Sequence, residues 1–202
     1  MLDVGMNRIH DLFVSFCFAL IITSVCTMNA SAAISAVVKK GDWMAYNVSF
    51  TGTAPEGHDV EWARIEVTNV QGNLITVLIA SRDINGAQNS DTVTLDLEKG
   101  KLGDEFIIPA NLNVGEQFFD ANLGNVTIGG SEQRVVAGAN RDLLYSESSD
   151  RLVYWDKATG FLIEGRTAMP GFTMTTALDA TNMWQPESFN AIYLIGALVI
   201  MS

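Results

Sequence analysis

The feature that most limits how this chain can fold is an alternation of apolar and polar residues, recurring in short runs between Ala33 and Glu187. From Asp91 to Leu97, for example, valine and leucine alternate with threonine and aspartate, the pattern of a half-buried strand. No amphipathic run of helical period interrupts these segments. They therefore predict a mainly β fold, either an antiparallel β-sandwich or a strongly curved sheet or half-barrel. The alternation alone does not choose between these architectures.

Turn residues divide the alternating runs into a series of short strands. Asn85-Gly86 predicts a hairpin, and Asp156-Lys157-Ala158-Thr159-Gly160 predicts a hairpin loop with glycine at its end. The continuous apolar run from Leu74 to Ser81 predicts a strand covered on both faces. The predicted strands begin after Asp42 and then at Val60, Leu74, Asp91, Phe106, Gln117, Val126, Gln133, Leu143, Leu152, Phe161 and Phe172.

The first 32 residues have the composition of a secretory signal peptide. A start that holds Arg8 and His10 is followed by an uncharged apolar stretch and by Ala30-Ser31-Ala32, which predicts cleavage between Ala32 and Ala33. A retained membrane helix and a lipoprotein site at Cys26 are the alternatives. Both cysteines, Cys17 and Cys26, lie in this segment, so the exported domain predicted at 33–187 has no disulfide.

The C-terminal segment, 188–202, is uncharged and apolar. Its length is short for a membrane span, and no basic residue follows it. We interpret it as a short transmembrane or anchoring helix, with a buried core helix as the alternative. Together the two ends predict export followed by tethering to a membrane, with the mature domain at the cell surface.

The charge balance excludes one class of partner. The chain has 12 basic and 23 acidic side chains, a net charge of −11, whereas nucleic-acid binding needs clustered lysine and arginine. The acidic excess lies almost wholly in residues 33–187, because only Asp3, Arg8 and Asp11 are charged outside them.

The chain offers few residues for catalysis or metal binding. His58 is the single histidine after residue 32, and it lies in an acidic segment, 55–61, that has the composition of an exposed turn. The segment Asp83 to Asp91 has oxygen ligands but fails the spacing of a calcium loop. We therefore predict no catalytic, cofactor-binding or metal-binding residue. An enzyme is the less favoured interpretation.

Two further residue sets have a structural and a functional interpretation. The tryptophans Trp43, Trp62, Trp155 and Trp184 are predicted to be core residues rather than a platform for sugars. Asn47 and Asn125 each begin an acceptor triplet for N-glycosylation. Asn125 is the better candidate, because Asn47 lies within a predicted strand.

Three segments, 40–43, 108–116 and 154–164, carry a resemblance when they are read together. Their sequences are KGDW, IPANLNVGE and YWDKATGFLIE. They resemble a loose group of uncharacterised archaeal cell-surface proteins with a signal peptide, a β-rich ectodomain and a C-terminal membrane helix. This resemblance implies an exported, anchored β domain and no particular reaction. The Asp-Lys-x-Thr-Gly loop is also similar to hairpins of lipoprotein carriers, whose curved sheet wraps a lipid.

Three hypotheses of function follow. The first is a non-enzymatic cell-surface protein with a binding or envelope-structural role, whose partner is an envelope protein, a glycan or an apolar ligand. The second is a carrier of a lipid or other apolar ligand, in a cavity lined by side chains such as Phe106, Phe118, Phe119 and Phe161. The third is a carbohydrate-active enzyme, which needs two carboxyl groups about 5 to 9.5 Å apart in a cleft.

Overall fold

The computed structural model describes residues 36–53 and 59–186. The signal peptide predicted at 1–32, the anchoring segment predicted at 188–202 and His58 lie outside these residues. Within the described ranges, no helix is long and apolar enough to cross a membrane.

The described residues form eleven strands and no helix, which confirms the mainly β prediction. The strands are β1 (Trp43–Gly52), β2 (Val60–Gln71), β3 (Leu74–Asp83), β4 (Gln88–Asp96), β5 (Gln117–Asp120), β6 (Gly124–Thr127), β7 (Gly130–Val136), β8 (Ala139–Glu147), β9 (Arg151–Asp156), β10 (Leu162–Met169) and β11 (Phe172–Thr181).

Nine of these strands form one antiparallel sheet, called the main sheet. Its order is β4-β3-β2-β1-β11-β10-β9-β8-β7, and the remaining strands, β5 and β6, pair with each other. Two meanders, β1 to β4 and β7 to β11, are joined by the pairing of β1 with β11. The edges β4 and β7 do not pair with each other, so the main sheet is not closed into a barrel.

The structure confirms the hairpins predicted at Asn85-Gly86 and at Asp156 to Gly160. The turn between β3 and β4 contains Asn85-Gly86, and one Asp83 carboxylate oxygen accepts the backbone N–H groups of Asn85 and Ala87 at 2.9 and 2.8 Å. Short polar side chains that bond to nearby backbone favour such turns. Residues 157–161 connect β9 to β10, as the second turn signal predicts.

The core lies between one face of the main sheet and residues 97–129, called the cross-connection, which link the two edge strands. The face that carries Ile65, Val77 and Trp155 is called the inner face. These side chains form one buried cluster with residues of the cross-connection. The buried apolar residues of the cross-connection are Leu97, Leu102, Ile107, Ile108, Phe118 and Ile128.

The opposite, outer face has a smaller cluster. Successive strand residues point to opposite faces, so Leu143 packs here while Leu144 packs in the main core. Trp184, which follows β11, covers this cluster and donates its indole N–H to the carbonyl of Val136 at 3.0 Å. The guanidinium of Arg141 lies 4.5 Å from the centre of its ring.

Two local predictions are wrong. Phe106 to Ile108 do not form a strand: Ile107 makes a single bridge to Phe161, because the backbone turns at Asp104 and Glu105 just before it. Among the described residues, the strand from Leu74 to Ser81 is covered on one face only, since the cross-connection packs against the inner face. Leu74 is 40% exposed as a result.

Asp96, at the end of β4, makes stability depend on pH. Burial disfavours its charged form, but backbone N–H groups of Lys99 and Glu98 and the Lys99 ammonium outweigh that effect and lower its pKa. A carboxylate with a lowered folded-state pKa stabilises the fold above its unfolded pKa, and this contribution disappears as pH falls through the folded pKa.

We therefore expect Asp96→Asn to destabilise the protein at neutral pH and to match the wild type progressively as pH falls below about 4. Thermal unfolding measured over this pH range tests the prediction. The exposed Asp179→Asn is the control. The prediction is contradicted if Asp96→Asn and the wild type differ in stability by the same amount at every pH.

Candidate functional site

A cleft of about 380 Å³ lies where the inner face of the main sheet meets the cross-connection. We call it the inner cleft. Its lining combines apolar side chains with a few polar and charged ones, as is usual for small-molecule sites. Its lining residues are Asp104, Glu105, Phe106, Asp120, Asn122, Leu123, Arg151, Val153, Leu162, Gly165, Thr167, Met169, Met174 and Thr176.

The floor of the inner cleft is formed by β9, β10 and β11. Strand alternation places every second residue of each strand on the inner face, and the register sets Gly165 between Val153 and Thr176. Gly165 has no side chain there, which leaves space between its neighbours. A Cβ at this position would be in ordinary contact, 3.6 Å from a methyl group of Leu162.

The wall of the inner cleft depends on an unusual turn of the cross-connection. Asp104 and Glu105 have φ values of 56° and 62°, a left-handed conformation that costs non-glycine residues free energy. The turn directs Phe106 against the buried ring of Tyr46, with ring centroids 6.0 Å apart. Backbone strain of this kind persists where the surrounding structure holds it in place.

Glu105 is held by contacts at both its backbone and its side chain. Its carbonyl accepts the indole N–H of Trp155 at 2.9 Å, and one carboxylate oxygen pairs with the guanidinium of Arg151. Burial lowers the pKa of Arg151, but a guanidinium stays charged in proteins. The side chain of Glu105 is therefore fixed beside the apolar floor of the inner cleft.

The second oxygen of the Glu105 carboxylate, Oε1, has no hydrogen-bond partner among the described residues, although it is buried. Leaving a buried acceptor without a donor is costly, and such groups are few in native proteins. Oε1 is therefore a buried acceptor beside the inner cleft that the described residues leave unpaired.

The lining of the inner cleft is acidic overall. Asp104, Glu105 and Asp120 contribute carboxylates, and Arg151 contributes the positive charge. Asp120 is buried and accepts the backbone N–H groups of Asn122 and Leu123 at 2.7 and 3.0 Å. Asp104 is exposed. The carboxylates thus differ in role, since Asp120 stabilises a turn and Glu105 is paired with Arg151.

The four phenylalanines predicted to line a cavity do not act together. Phe106 lines the inner cleft. Phe118 and Phe161 are buried in the core, where Phe118 packs edge-on against Trp155. Phe119 points away from the core and is 52% exposed. The prediction is therefore wrong for three of the four, because the cross-connection fills much of the space above the inner face.

Two of the four tryptophans are buried and two are half-buried. Trp155 and Trp184 are buried, as the core interpretation predicts. Trp43 and Trp62 are half-buried, and the guanidinium of Arg64 lies 4.4 Å from the centre of the Trp43 ring. Trp62 borders a cleft of about 400 Å³ whose other lining residues are mostly polar.

Both predicted glycosylation residues are exposed. Asn47 lies in β1 between Trp62 of β2 and Ala177 of β11. Asn125 lies in β6, opposite Phe119 of the two-stranded sheet. Asn125 is therefore in the smaller, more peripheral sheet, and Asn47 lies in the middle of the main sheet.

The acidic segments have structural contacts. Asp83 bonds to the backbone of its own turn, and Glu61 pairs with Arg82 at 2.7 Å. Across residues 36–53 and 59–186, histidine, cysteine, aspartate and glutamate form no group of three or more that could hold a metal ion.

Sequence reasoning missed the residues that define the inner cleft, namely Glu105, Arg151 and Gly165. Glu105 is one acid among 23 acidic residues, and its partner Arg151 is 46 positions away. The pair Asp104-Glu105 directly before an apolar run is a weak signal, because acids at such positions are usually solvated.

Comparisons with known proteins add little. No protein-family model and no curated protein matches the chain. Among solved structures, it is similar to the protein of a structure titled "The Siderocalin Ex-FABP functions through dual ligand specificities", with 11% sequence identity over 80% of this chain and 85% of that chain. The TM-score of 0.26 is too low for this likeness to support an argument.

Proposed function

We propose that this chain is an exported, membrane-tethered and non-enzymatic β domain that binds an apolar or amphipathic small molecule in the inner cleft. The observation that carries the proposal is the cleft itself, of about 380 Å³, with an apolar floor and a buried Glu105 beside it. Small-molecule sites typically combine a concave apolar surface with a few fixed polar groups.

The half-barrel form of the main sheet is part of the same proposal. Neighbouring strands lie about 4.8 Å apart, so nine strands side by side would span about 38 Å if they were flat. Leu95 of the edge strand β4 and Leu144 of β8 both belong to the core cluster that includes the cross-connection. In this proposal the sheet curves around the cross-connection, and its concave face contains the inner cleft.

Export and tethering rest on the sequence. The signal peptide at 1–32, the apolar segment at 188–202 and the resemblance to archaeal cell-surface proteins support them. Exposure of Asn125 and Asn47 is compatible with their modification as glycosylation sites. In this proposal the membrane is a partner through the C-terminal segment, and the bound ligand is a second partner.

Binding is favoured over glycoside hydrolysis by the contacts of the carboxylates in the inner cleft. A glycosidase needs an acid and a nucleophile or base on either side of the sugar bond. Glu105 is instead paired with Arg151, and Asp120 accepts backbone N–H groups of its own turn. Both carboxylates are thus engaged by neighbouring groups of the protein.

We expect Gly165→Leu to weaken binding of an uncharged amphiphile, decan-1-ol, by about tenfold or more, because the new side chain would occupy the cleft. Binding is measured on the full chain in nanodiscs of zwitterionic lipid, from the ¹³C-methyl signals of Met169 and Met174, which line the cleft.

Arg166→Leu is the matched control. Arg166 is the next residue of β10, is exposed and points to the outer face. The same new side chain there should leave decan-1-ol binding unchanged. The proposal fails if decan-1-ol leaves both methyl signals of the wild type unmoved, or if the two variants bind equally.

A further inference from the structure

We infer that the inner cleft selects amphiphiles whose polar end is a hydrogen-bond-donating cation, such as an alkylammonium, over anionic amphiphiles, with Glu105 as the acceptor. This inference rests on the proposed function, and it adds the charge and hydrogen-bonding character of the ligand head group.

Glu105 has an acceptor atom beside the cleft that the described residues leave unpaired. Glu105 lines the cleft and is 4% exposed, and its Oε1 atom has no hydrogen-bond partner among the described residues. An ionised carboxylate only accepts hydrogen bonds. The group that completes this site must therefore be a donor, and a charged donor gives the stronger bond.

The lining of the cleft carries an excess of negative charge. It includes three carboxylates, on Asp104, Glu105 and Asp120, and one guanidinium, on Arg151. A cationic head group reduces this negative excess, whereas an anionic head group increases it. The interactions are strengthened in a partly buried site, because screening by water is weaker there.

Arg151 is the group in the lining that an anion would need. Its guanidinium is already paired with Glu105. An anion that took Arg151 for itself would leave the buried Glu105 carboxylate without its partner, which is strongly unfavourable. A cation avoids this cost, because it does not compete with Glu105 for Arg151 and leaves their pair in place.

The apolar part of such a ligand has a defined place. Val153, Leu162, Met169 and Met174 lie on the same side of the main sheet as Arg151 and line the cleft with it. Methionine side chains adapt to ligands of irregular shape. A volume of about 380 Å³ is near the lower end of the usual range for ligand sites, which suits an alkyl chain of medium length.

The test compares decylammonium, decan-1-ol and decanoate on the full chain in nanodiscs of zwitterionic lipid, using the Met169 and Met174 methyl signals. We expect wild type to bind decylammonium about tenfold or more tightly than decanoate, with decan-1-ol between them. This comparison needs no variant, so it stands even where a substitution impairs folding.

Glu105→Gln should reverse the order of affinity for the three amphiphiles. It removes the acceptor charge and frees Arg151, so decylammonium should bind about tenfold or more weakly and decanoate more tightly. Glu116→Gln is the matched control, because Glu116 also lies in the cross-connection but does not line the cleft. It should leave the order unchanged.

The possible failures are distinguishable. If decan-1-ol shifts the methyl signals but head-group charge and Glu105→Gln make no difference, the inference is overturned and the proposed function stands. If wild type prefers decanoate, the inference is likewise overturned. If none of the three amphiphiles shifts the signals, the proposed function and the inference fall together.

Discussion

Replacing Trp155 with alanine is expected to lower the free energy of unfolding by about 3–5 kcal/mol. Trp155 is fully buried at the centre of the core, where the ring of Phe118 packs edge-on against it with centroids 5.6 Å apart. Alanine would leave a cavity and would remove the indole N–H that the carbonyl of Glu105 accepts. Denaturant unfolding followed by circular dichroism measures the loss.

Two further variants separate packing from hydrogen bonding at Trp155. Trp155→Phe keeps most of the apolar contact but removes the N–H donor, so an intermediate loss is expected. Trp62→Ala removes the same side chain from a half-buried outer position, and a smaller loss is expected there. The prediction is contradicted if Trp155→Ala destabilises no more than Trp62→Ala.

The strands could be predicted from the sequence because their signal is local. Alternation locates β2 and β4, and Asn85-Gly86 locates the turn that joins β3 to β4. Composition alone, however, does not separate Phe106-Ile107-Ile108 from a true strand. The difference lies in the left-handed backbone of Asp104 and Glu105, a conformation that nothing in those residue types requires.

The joining of the two meanders could not be predicted. β1 pairs with β11, so residues near 45 contact residues near 180, and no local pattern specifies such a distant partner. The inner cleft could not be predicted for the same reason. Arg151 and Glu105 meet because the cross-connection packs against β9, and a buried carboxylate among many acidic residues is recognised only once this packing is known.

Gly160→Ala is expected to destabilise the protein by about 3 kcal/mol or more, because two costs add. Gly160 has a φ of +78°, which costs a residue with a Cβ about 1–2 kcal/mol. The Cβ would also lie 2.0 Å from the carbonyl oxygen of Ile108. That carbonyl belongs to the part of the cross-connection that docks on this loop, where the Ile108 N–H donates to the Gly160 carbonyl at 2.9 Å.

Gly171→Ala separates the two costs at Gly160. Gly171 has nearly the same φ, +76°, but no atom lies within 4 Å of a Cβ placed there, so only the conformational cost of about 1–2 kcal/mol is expected. The excess loss in Gly160→Ala then measures the displacement of the cross-connection. Hydrogen exchange of the Ile108 amide should accelerate in Gly160→Ala and not in Gly171→Ala. Equal losses of stability in the two variants would show that the cross-connection does not depend on this contact.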